Sequence, residues 1–253
     1  MKNKTVFEVT GLTKKYKKHT AVNNLSFSGY NGEIIGFLGP NGAGKTTTIK
    51  MMTGLVQITD GSVNICGSDI QKSYEKAASH TGAVIENPGL YQNISGQRNL
   101  SLFAMVKKTP VNMLEEVKLL TGLGDRLKDK VRTYSLGMKQ RLGIGIALLG
   151  SPQLLILDEP TNGLDPIAIR DLRLFLKKLA HEKNVCVLVS SHMLLEMEKL
   201  CDRVVIINDG NMIGETSVEN LRDSNTDLED YYVSCVESIK NSEGEDNVSA
   251  DKI

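Results

Sequence analysis

Nine residues early in the chain have the composition and spacing of a phosphate-binding loop. They read GPNGAGKTT and fit the pattern G-x-x-x-x-G-K-[ST]. The loop consists of Gly39, Pro40, Asn41, Gly42, Ala43, Gly44, Lys45, Thr46 and Thr47. Glycines let the backbone curl so that successive N–H groups point at phosphate oxygens, and a following helix adds its positive N-terminal end. The pattern therefore predicts a site for a nucleoside triphosphate, with ATP as the ligand.

Two side chains of this loop are expected to contact the ligand directly. Lys45 would reach the β- and γ-phosphates, and the Thr46 hydroxyl would ligate Mg²⁺. The apolar run IIGFL before the loop predicts a strand, and TTTIKMMTGL after it predicts a helix. The alternative is a chance match in an ordinary turn, which this strand and helix context disfavours.

A second group of residues suited to catalysis lies well downstream. The segment LLILDEP predicts a hydrophobic strand that ends in Asp158, whose carboxylate would lie beside Mg²⁺. Glu159 follows and would accept a proton from a water that attacks the γ-phosphate. Taken alone, a buried strand that ends in two acidic residues is commonplace, and a surface cap explains it. Downstream of a phosphate-binding loop, the catalytic interpretation is favoured.

The segments around these residues alternate between strand and helix patterns. Short apolar runs such as GAVIEN and CVLVS predict buried strands, whereas IRDLRLFLKKLAHE predicts an amphipathic helix. Such alternation indicates a mainly parallel sheet with both faces covered. Residues 88–150 differ, because their apolar residues recur at helical spacing, and they predict a mostly helical block. RVVIINDGNMIGE predicts a hairpin that turns at Asp209 and Gly210.

Composition excludes several classes of function. The 253 residues contain 30 Lys plus Arg and 30 Asp plus Glu, and this zero net charge gives no basis for nucleic acid as the main partner. The four cysteines are scattered, which argues against a disulfide framework or metal site and favours a reducing cytoplasm. We find no secretion signal and no apolar stretch near the roughly 18 residues of a spanning helix. A membrane function would need another chain to supply the membrane part.

The segment YSLGMKQRLGI (134–144) resembles the signature motif, usually written LSGGQ, of ATP-binding-cassette ATPases, the nucleotide-binding subunits of ABC transporters. Ser135 and Gly137 hold the serine and second-glycine positions, Leu136 replaces the first glycine, and Gln140 follows. The resemblance covers roughly residues 5 to 220, with the motifs in the family's order. It implies that this segment contacts the γ-phosphate of an ATP held by the opposite subunit. Without the family, the segment predicts only a capped helix start.

Three further residues take their roles from the same resemblance. Asp165, in TNGLDP, lies in a loop that would cross the dimer interface, although a simple helix cap also explains it. His192 resembles the histidine that contacts the γ-phosphate and holds Glu159 in place, although a lone histidine after a strand is more often structural. Tyr16 resembles the aromatic residue that stacks on adenine, and a strand-surface tyrosine is the competing explanation.

One position departs from the family pattern. The family normally has a glutamine at the end of the strand GAVIE, where it contacts Mg²⁺ and signals to the permease, but this chain has Glu86. A carboxylate is a harder, charged ligand, so it would hold Mg²⁺ more tightly or change the timing of hydrolysis. This glutamate and YSLGMKQRL together resemble the branch that exports bacitracin or lantibiotics to protect the producing cell.

The resemblance also implies a fold and a division of the chain. The expected fold is α/β, of the P-loop NTPase type, with a mainly parallel core sheet, an N-terminal antiparallel β subdomain and a helical subdomain inserted at about 88–150. The ATPase domain would cover residues 1–222. Residues 223–253 would form a short helix over DLEDYYVSCV and an acid-leaning tail that we predict to be disordered.

The function implied is ATP hydrolysis with Mg²⁺ by a homodimer or heterodimer that drives a separate membrane permease from the cytoplasmic face of the membrane. Residues 86–92 would receive a permease helix, and export of an antimicrobial peptide or drug is favoured. The alternatives are a multidrug or lipid exporter ATPase, a non-transport ATPase acting on ribosomes or chromosomes, and an inactive regulatory module. Intact catalytic residues argue against the last. The lack of a second cassette or a long coiled coil argues against a non-transport ATPase.

Overall fold

Two β-sheets and a set of helices form the chain in the computed structural model, which describes residues 4–238. The strands are β1 (Thr5–Tyr16), β2 (His19–Tyr30), β3 (Ile34–Leu38), β4 (Asp60–Ile65), β5 (Ser68–Asp69), β6 (Thr81–Val84), β7 (Leu154–Asp158), β8 (Cys186–Ser191), β9 (Arg203–Asn208) and β10 (Asn211–Ser217). The helices are α1 (Lys45–Met52), α2 (Tyr74–Ser79), α3 (Gly96–Val106), α4 (Val111–Leu120), α5 (Leu136–Leu148), α6 (Pro166–Lys177), α7 (Leu194–Leu200), α8 (Val218–Asp223) and α9 (228–238).

The larger sheet has six strands in the order β10-β9-β3-β8-β7-β6. Strands β9, β3, β8, β7 and β6 are parallel, and β10 pairs with β9 in the antiparallel sense. The mainly parallel sheet predicted from the sequence is therefore confirmed. Parallel strands place their carboxyl ends at one edge of a sheet, so the loops after β3, β6, β7 and β8 meet there.

Both faces of this sheet are buried, because alternate side chains of each strand enter different cores. In β7, Leu155 and Leu157 belong to one core, whereas Leu154 and Ile156 belong to the other. The first core contains side chains from α5, α6 and α7, and the second contains side chains from α1 and the smaller sheet. The strands that carry the candidate catalytic residues are thus held from both sides.

The smaller sheet is the antiparallel β subdomain expected at the N-terminus. Its order is β2-β1-β4-β5, and every described pair of strands in it is antiparallel. Phe27 of β2 stacks on Phe37 of β3 with ring centroids 5.3 Å apart. This contact fixes the small sheet against the strand that leads into the phosphate-binding loop.

A helical block is inserted between β6 and β7. It contains α3, α4 and α5, with two 3₁₀ turns at Gly124–Lys128 and Val131–Thr133. The helix α5 packs directly on β6, where a Cβ added at Gly82 would lie 2.5 Å from the carbonyl oxygen of Ala147. Glycine at this position is required for the close approach of helix and strand.

We therefore expect Gly82→Ala to lower the free energy of unfolding by about 1–3 kcal/mol, as overpacking of buried contacts does. Chemical denaturation of the purified chain measures this loss. Gly150→Ala is the matched control, because its Cβ would meet only the Lys107 side chain, at 3.8 Å and beyond. Equal losses in the two variants would contradict the close-packing argument.

The chain ends, within the described residues, in a helix that packs on β10. Leu228 and Cys235 of α9 are buried in the first core, and the Tyr231 hydroxyl donates to the carbonyl oxygen of Glu215. The sequence patterns predicted this short helix but not α2 or α8. The predicted disordered tail, residues 241–253, lies outside the described residues. In the part of the chain described here, no helix combines the length and apolar character needed to cross a membrane.

Candidate nucleotide-binding and catalytic site

The phosphate-binding loop connects β3 to α1 and has the curled backbone expected of it. Gly42 has φ +85° and Gly44 has φ +102°, in the left-handed region that favours glycine. A Cβ at Gly44 would also lie 2.5 Å from the carbonyl oxygen of Ala21. Because α1 begins at Lys45, the loop residues lie at a helix N-terminus, where backbone N–H groups are free to bind an anion.

Lys45 lies at the centre of the site with only 6% of its surface exposed. Its Nζ donates hydrogen bonds to the carbonyl oxygens of Gly39 (2.6 Å) and Pro40 (3.1 Å). The same nitrogen lies 3.4 Å from Oε1 of Glu159. The ammonium group is thus buried and held by its own loop, and it lies beside the candidate catalytic carboxylate.

Thr46 and Asp158 meet across the site. The Thr46 hydroxyl donates to Oδ2 of Asp158 at 2.9 Å, and the Ser190 hydroxyl donates to Oδ1 at 2.6 Å. A hydroxyl and a carboxylate are the hard oxygen donors that Mg²⁺ prefers, so these residues fit the ion. No cluster of three His, Cys, Asp or Glu residues that could hold a metal occurs among residues 4–238. Mg²⁺ is commonly bound by one or two carboxylates together with substrate phosphates, and the Thr46–Asp158 pair provides one such carboxylate.

Glu159 and His192 form a second pair at the same edge of the sheet. His192 Nδ1 lies 3.0 Å from Oε2 of Glu159. The backbone N–H of Glu159 donates to the Ser190 hydroxyl at 2.9 Å, and Glu159 adopts φ +48°, a strained value for a residue with a side chain. Glu159 is therefore held at its backbone by Ser190 and at its side chain by His192 and Lys45.

Sequence reasoning missed Ser190. Its hydroxyl bonds both acidic residues, because β7 and β8 are parallel with Asp158 opposite Ser190. The only signal in the sequence is its place near the end of VCVLVSSH, two residues before His192. The register between the two strands, which brings Ser190 to Asp158, is not visible in that segment.

Lys45, Thr46 and Glu159 border a cleft of about 410 Å³ beside the phosphate-binding loop, whereas Asp158 and His192 lie behind Thr46 and Glu159 and are not part of its lining among the described residues. Its lining consists of Tyr16, His19, Ala21, Pro40, Asn41, Gly42, Gly44, Lys45, Thr46, Thr47, Glu159 and Asn162. Tyr16 is half exposed, and the Lys14 ammonium lies 4.9 Å from the centre of its ring. An aromatic face at one end and a phosphate loop at the other match the two ends of a nucleotide.

Two residues of the loop lie beneath the cleft and do not line it. A Cβ at Gly39 would lie 2.3 Å from the carbonyl oxygen of Ile207, and Ala43 is buried. The Ala43 carbonyl accepts a hydrogen bond from the N–H of Gly210. Both residues fix the loop against the β9–β10 hairpin.

The residues predicted to contact a partner's nucleotide lie outside this cleft, at the starts of α5 and α6. The Ser135 hydroxyl accepts from the N–H of Met138, and the Asp165 carboxylate accepts from the N–H of Ala168, so each caps its helix. Gly137 lies between these helices, because its Cβ would come within 3.0 Å of the Ala168 Cβ.

Gln140 is the most deeply buried polar residue of this segment, at 4% exposed, and its Oε1 has no hydrogen-bond partner among the described residues. It too lies outside the lining of the cleft within residues 4–238. The structure thus separates the predicted ligand residues into one group in the cleft and one group at the two helix starts.

Glu86 follows β6 and adopts φ +60°. Its carboxylate accepts a hydrogen bond from Nζ of Lys50 at 2.8 Å. Among the described residues, Glu86 thus contacts Lys50 and not the candidate Mg²⁺ ligands Thr46 and Asp158. The Lys50 hydrogen bond lowers the pKa of the Glu86 carboxyl, and the same bond raises the pKa of Lys50. The predicted metal ligand is therefore held in an ion pair at the edge of the site.

Comparison with known proteins connects this site to one family. The family model described as ABC transporter matches residues 22–162. The chain is 52% identical to the ABC transporter ATP-binding protein YhcH of Bacillus subtilis (strain 168), over 92% of this chain and 76% of that protein. It is 42% identical to the bacitracin transport ATP-binding protein BcrA of Bacillus licheniformis, over 91% of this chain and 76% of that protein.

A solved structure supports the same assignment. The structure of an ATP binding subunit of an ABC transporter superposes with a TM-score of 0.80 at 30% identity, covering 91% of this chain and 99% of that one. The suspected family and fold are thereby confirmed. The chain belongs to the ABC transporter family, as one of its ATP-binding, ATP-hydrolysing subunits.

Proposed function

We propose that this chain hydrolyses MgATP in a dimer and thereby drives a membrane permease that exports an antimicrobial peptide. The observation that carries the proposal is that Glu159, which lines the cleft, contacts both Lys45 and His192, while Thr46 bonds Asp158 beside them. The name of the bacitracin transport relative supports the choice of substrate class.

The phosphate-binding loop and Lys45 bind the triphosphate in this proposal. Lys45 exchanges its bonds to the loop carbonyls for bonds to the β- and γ-phosphate oxygens, and the N–H groups at the start of α1 bind the remaining oxygens. Tyr16 stacks on the adenine. Thr46 and Asp158 hold Mg²⁺, which neutralises charge on the phosphates when it is bound.

Glu159 acts as the general base. Its carboxylate accepts a proton from the water that attacks the γ-phosphorus, and the bond to the β–γ bridging oxygen breaks to give ADP and phosphate. His192, with Nδ1 protonated, donates to Oε2 and keeps the carboxylate in place, while Ser190 holds the backbone of Glu159.

The starts of α5 and α6 contact the nucleotide of the opposite subunit. Ser135 and the free N–H groups of α5 provide an anion-binding helix terminus, and Asp165 lies at the start of the neighbouring helix. Their position outside the cleft of their own chain supports this assignment.

The permease binds in a largely apolar groove of about 480 Å³ between α2, β6 and the helical block. This contact would hold the chain at the cytoplasmic face of the membrane. Its lining includes Leu55, Tyr74, Val84, Leu90, Phe103 and Ile146. Tyr91, beside this groove, is 59% exposed, and its ring centroid lies 6.1 Å from that of Phe103. Exposed apolar side chains around a groove are typical of a protein-binding site.

Affinity purification tests the proposal. A tagged Glu159→Gln chain, expressed in its native cell with ATP present and extracted gently from the membranes, should bring down a polytopic membrane protein in stoichiometric amount. Deleting that membrane protein should then sensitise the cell to a peptide antibiotic such as bacitracin. Recovery of only ribosomal, chromosomal or soluble partners would contradict the transport role and leave the ATPase site untouched.

A pair of variants locates the contact. Leu90→Glu places a charge in the groove and should abolish recovery of the membrane protein. Leu119→Glu is the matched control, because Leu119 is 83% exposed and is not part of the groove lining. Equal recovery with both variants would exclude the groove as the binding site.

A further inference from the structure

Lys50 joins the helix that follows the phosphate-binding loop to an acidic residue that follows β6. It lies on α1, four residues after Thr46, and therefore on the same face of the helix one turn on. Its Nζ lies 2.8 Å from Oε1 of Glu86. The ion pair connects the helix that starts at the phosphate-binding loop with the segment that leaves β6.

Carboxylates outnumber ammonium groups around this pair. Asp158 and Glu159 bring two carboxylates to this edge of the sheet, Lys45 lies 3.4 Å from Glu159, and Glu86 brings a third carboxylate. Lys50 brings a positive charge to this third carboxylate, with Nζ 2.8 Å from Oε1 of Glu86. A triphosphate bound in the same region adds further negative charge, which an unpaired Glu86 would repel.

The same pair also borders the groove. Ile85 and Asn87, on either side of Glu86, line the groove, and so do Thr53 and Leu55 just after the end of α1. The Lys50 carbonyl accepts the N–H of Leu55. The backbone next to each partner of the ion pair therefore continues into the lining of the groove.

We propose that Lys50 is a positioning residue that holds Glu86 in an ion pair, keeps its negative charge away from the bound triphosphate and ties α1 to the β6 wall of the groove. This proposal rests on the ATP site proposed above. It explains how a third carboxylate is accommodated near the triphosphate site, because the lysine places a positive charge beside it. It also distinguishes Lys50 from Lys45, which contacts the phosphates themselves.

The proposal is tested by asking whether replacing Glu86 suppresses the effect of replacing Lys50. In the chain with Glu86, Lys50→Met should raise the Kd for a fluorescent ATP analogue and the KM for ATP at least fivefold, because the carboxylate is left unpaired near the triphosphate. In the Glu86→Gln background the same change should alter both values less than twofold. Lys50→Arg, which keeps the charge, should behave like the parent chain.

The controls separate this role from a general surface effect. Exposed ion pairs contribute little to folding stability, so the melting temperature should barely change, and Lys50→Gln replaces the methionine variant if that one is unstable. Lys183 and Glu116 form a pair 2.7 Å apart that involves no residue of the cleft. Lys183→Met, alone or with Glu116→Gln, should leave ATP binding unchanged.

Two results would overturn the proposal. One is an unchanged Kd and KM in Lys50→Met, and the other is an equal effect of Lys50→Met in both backgrounds. If the parent chain binds and hydrolyses ATP, either result refutes only the proposed role of the ion pair. A parent chain that fails to bind ATP at all would remove the ATP site on which the proposal rests.

Discussion

Replacing Lys45 by alanine is expected to weaken ATP binding by about a hundredfold or more. Lys45 is the buried ammonium at the centre of the cleft, and two charge-assisted hydrogen bonds to phosphate oxygens are together worth roughly 3 kcal/mol. Titration of the purified chain with ATP by calorimetry measures the loss. A variant that still binds ATP tightly would overturn the assignment of the phosphate-binding loop.

The control for this variant must separate lost contacts from a disturbed loop, because Lys45 also bonds the carbonyl oxygens of its own loop. A thermal melt of Lys45→Ala identifies any loss of folding. Lys72→Ala removes a lysine whose side chain is 84% exposed and whose one ion pair within residues 4–238 is with Asp69. This control should bind ATP like the parent chain.

Replacing Glu159 by glutamine is expected to lower kcat by about a hundredfold to ten-thousandfold, the range that general-base catalysis contributes. The amide has the same shape as the carboxylate but does not accept the proton of the attacking water. ATP affinity should stay within a few-fold of the parent value, and an ATP-bound dimer should accumulate. Steady-state turnover, ATP titration and gel filtration with ATP measure the three quantities.

The outcome is informative in both directions. Glu219→Gln, at an exposed position on α8, is the matched amide control and should turn over ATP normally. Normal turnover by Glu159→Gln would refute the general-base role while leaving Lys45 and the loop as the binding site. Loss of both turnover and binding would show that Glu159 supports Lys45 in holding the nucleotide, in line with their 3.4 Å separation.

Local patterns in the sequence predicted the parts of the site that are continuous in the chain. The spacing from Gly39 to Thr47 defines a loop whose backbone shape follows from its glycines, and the strand β7 was predicted from LLILD. Short hydrophobic runs that alternate with helix patterns along the chain favour a buried parallel sheet over other folds.

Contacts that depend on tertiary register could not be predicted in the same way. Ser190 reaches Asp158 because β8 lies beside β7, and Lys50 reaches Glu86 because α1 packs near the end of β6. In each pair the two residues are far apart in the sequence, and neither Ser190 nor Lys50 belongs to a recognised motif. From its position after GAVI, Glu86 was expected to bind Mg²⁺. In the structure, its carboxylate also forms an ion pair with Lys50, which lies on another element.

The starts of α5 and α6 pack closely at Gly137, where an added Cβ would lie 3.0 Å from the Cβ of Ala168. Glycine at this position lets the two capped helix ends pack together as one compact body. In the proposed dimer, this body would reach from one subunit to the nucleotide of the other. Each catalytic centre would then respond to nucleotide bound at the other centre, so the two centres of the dimer would act cooperatively rather than independently.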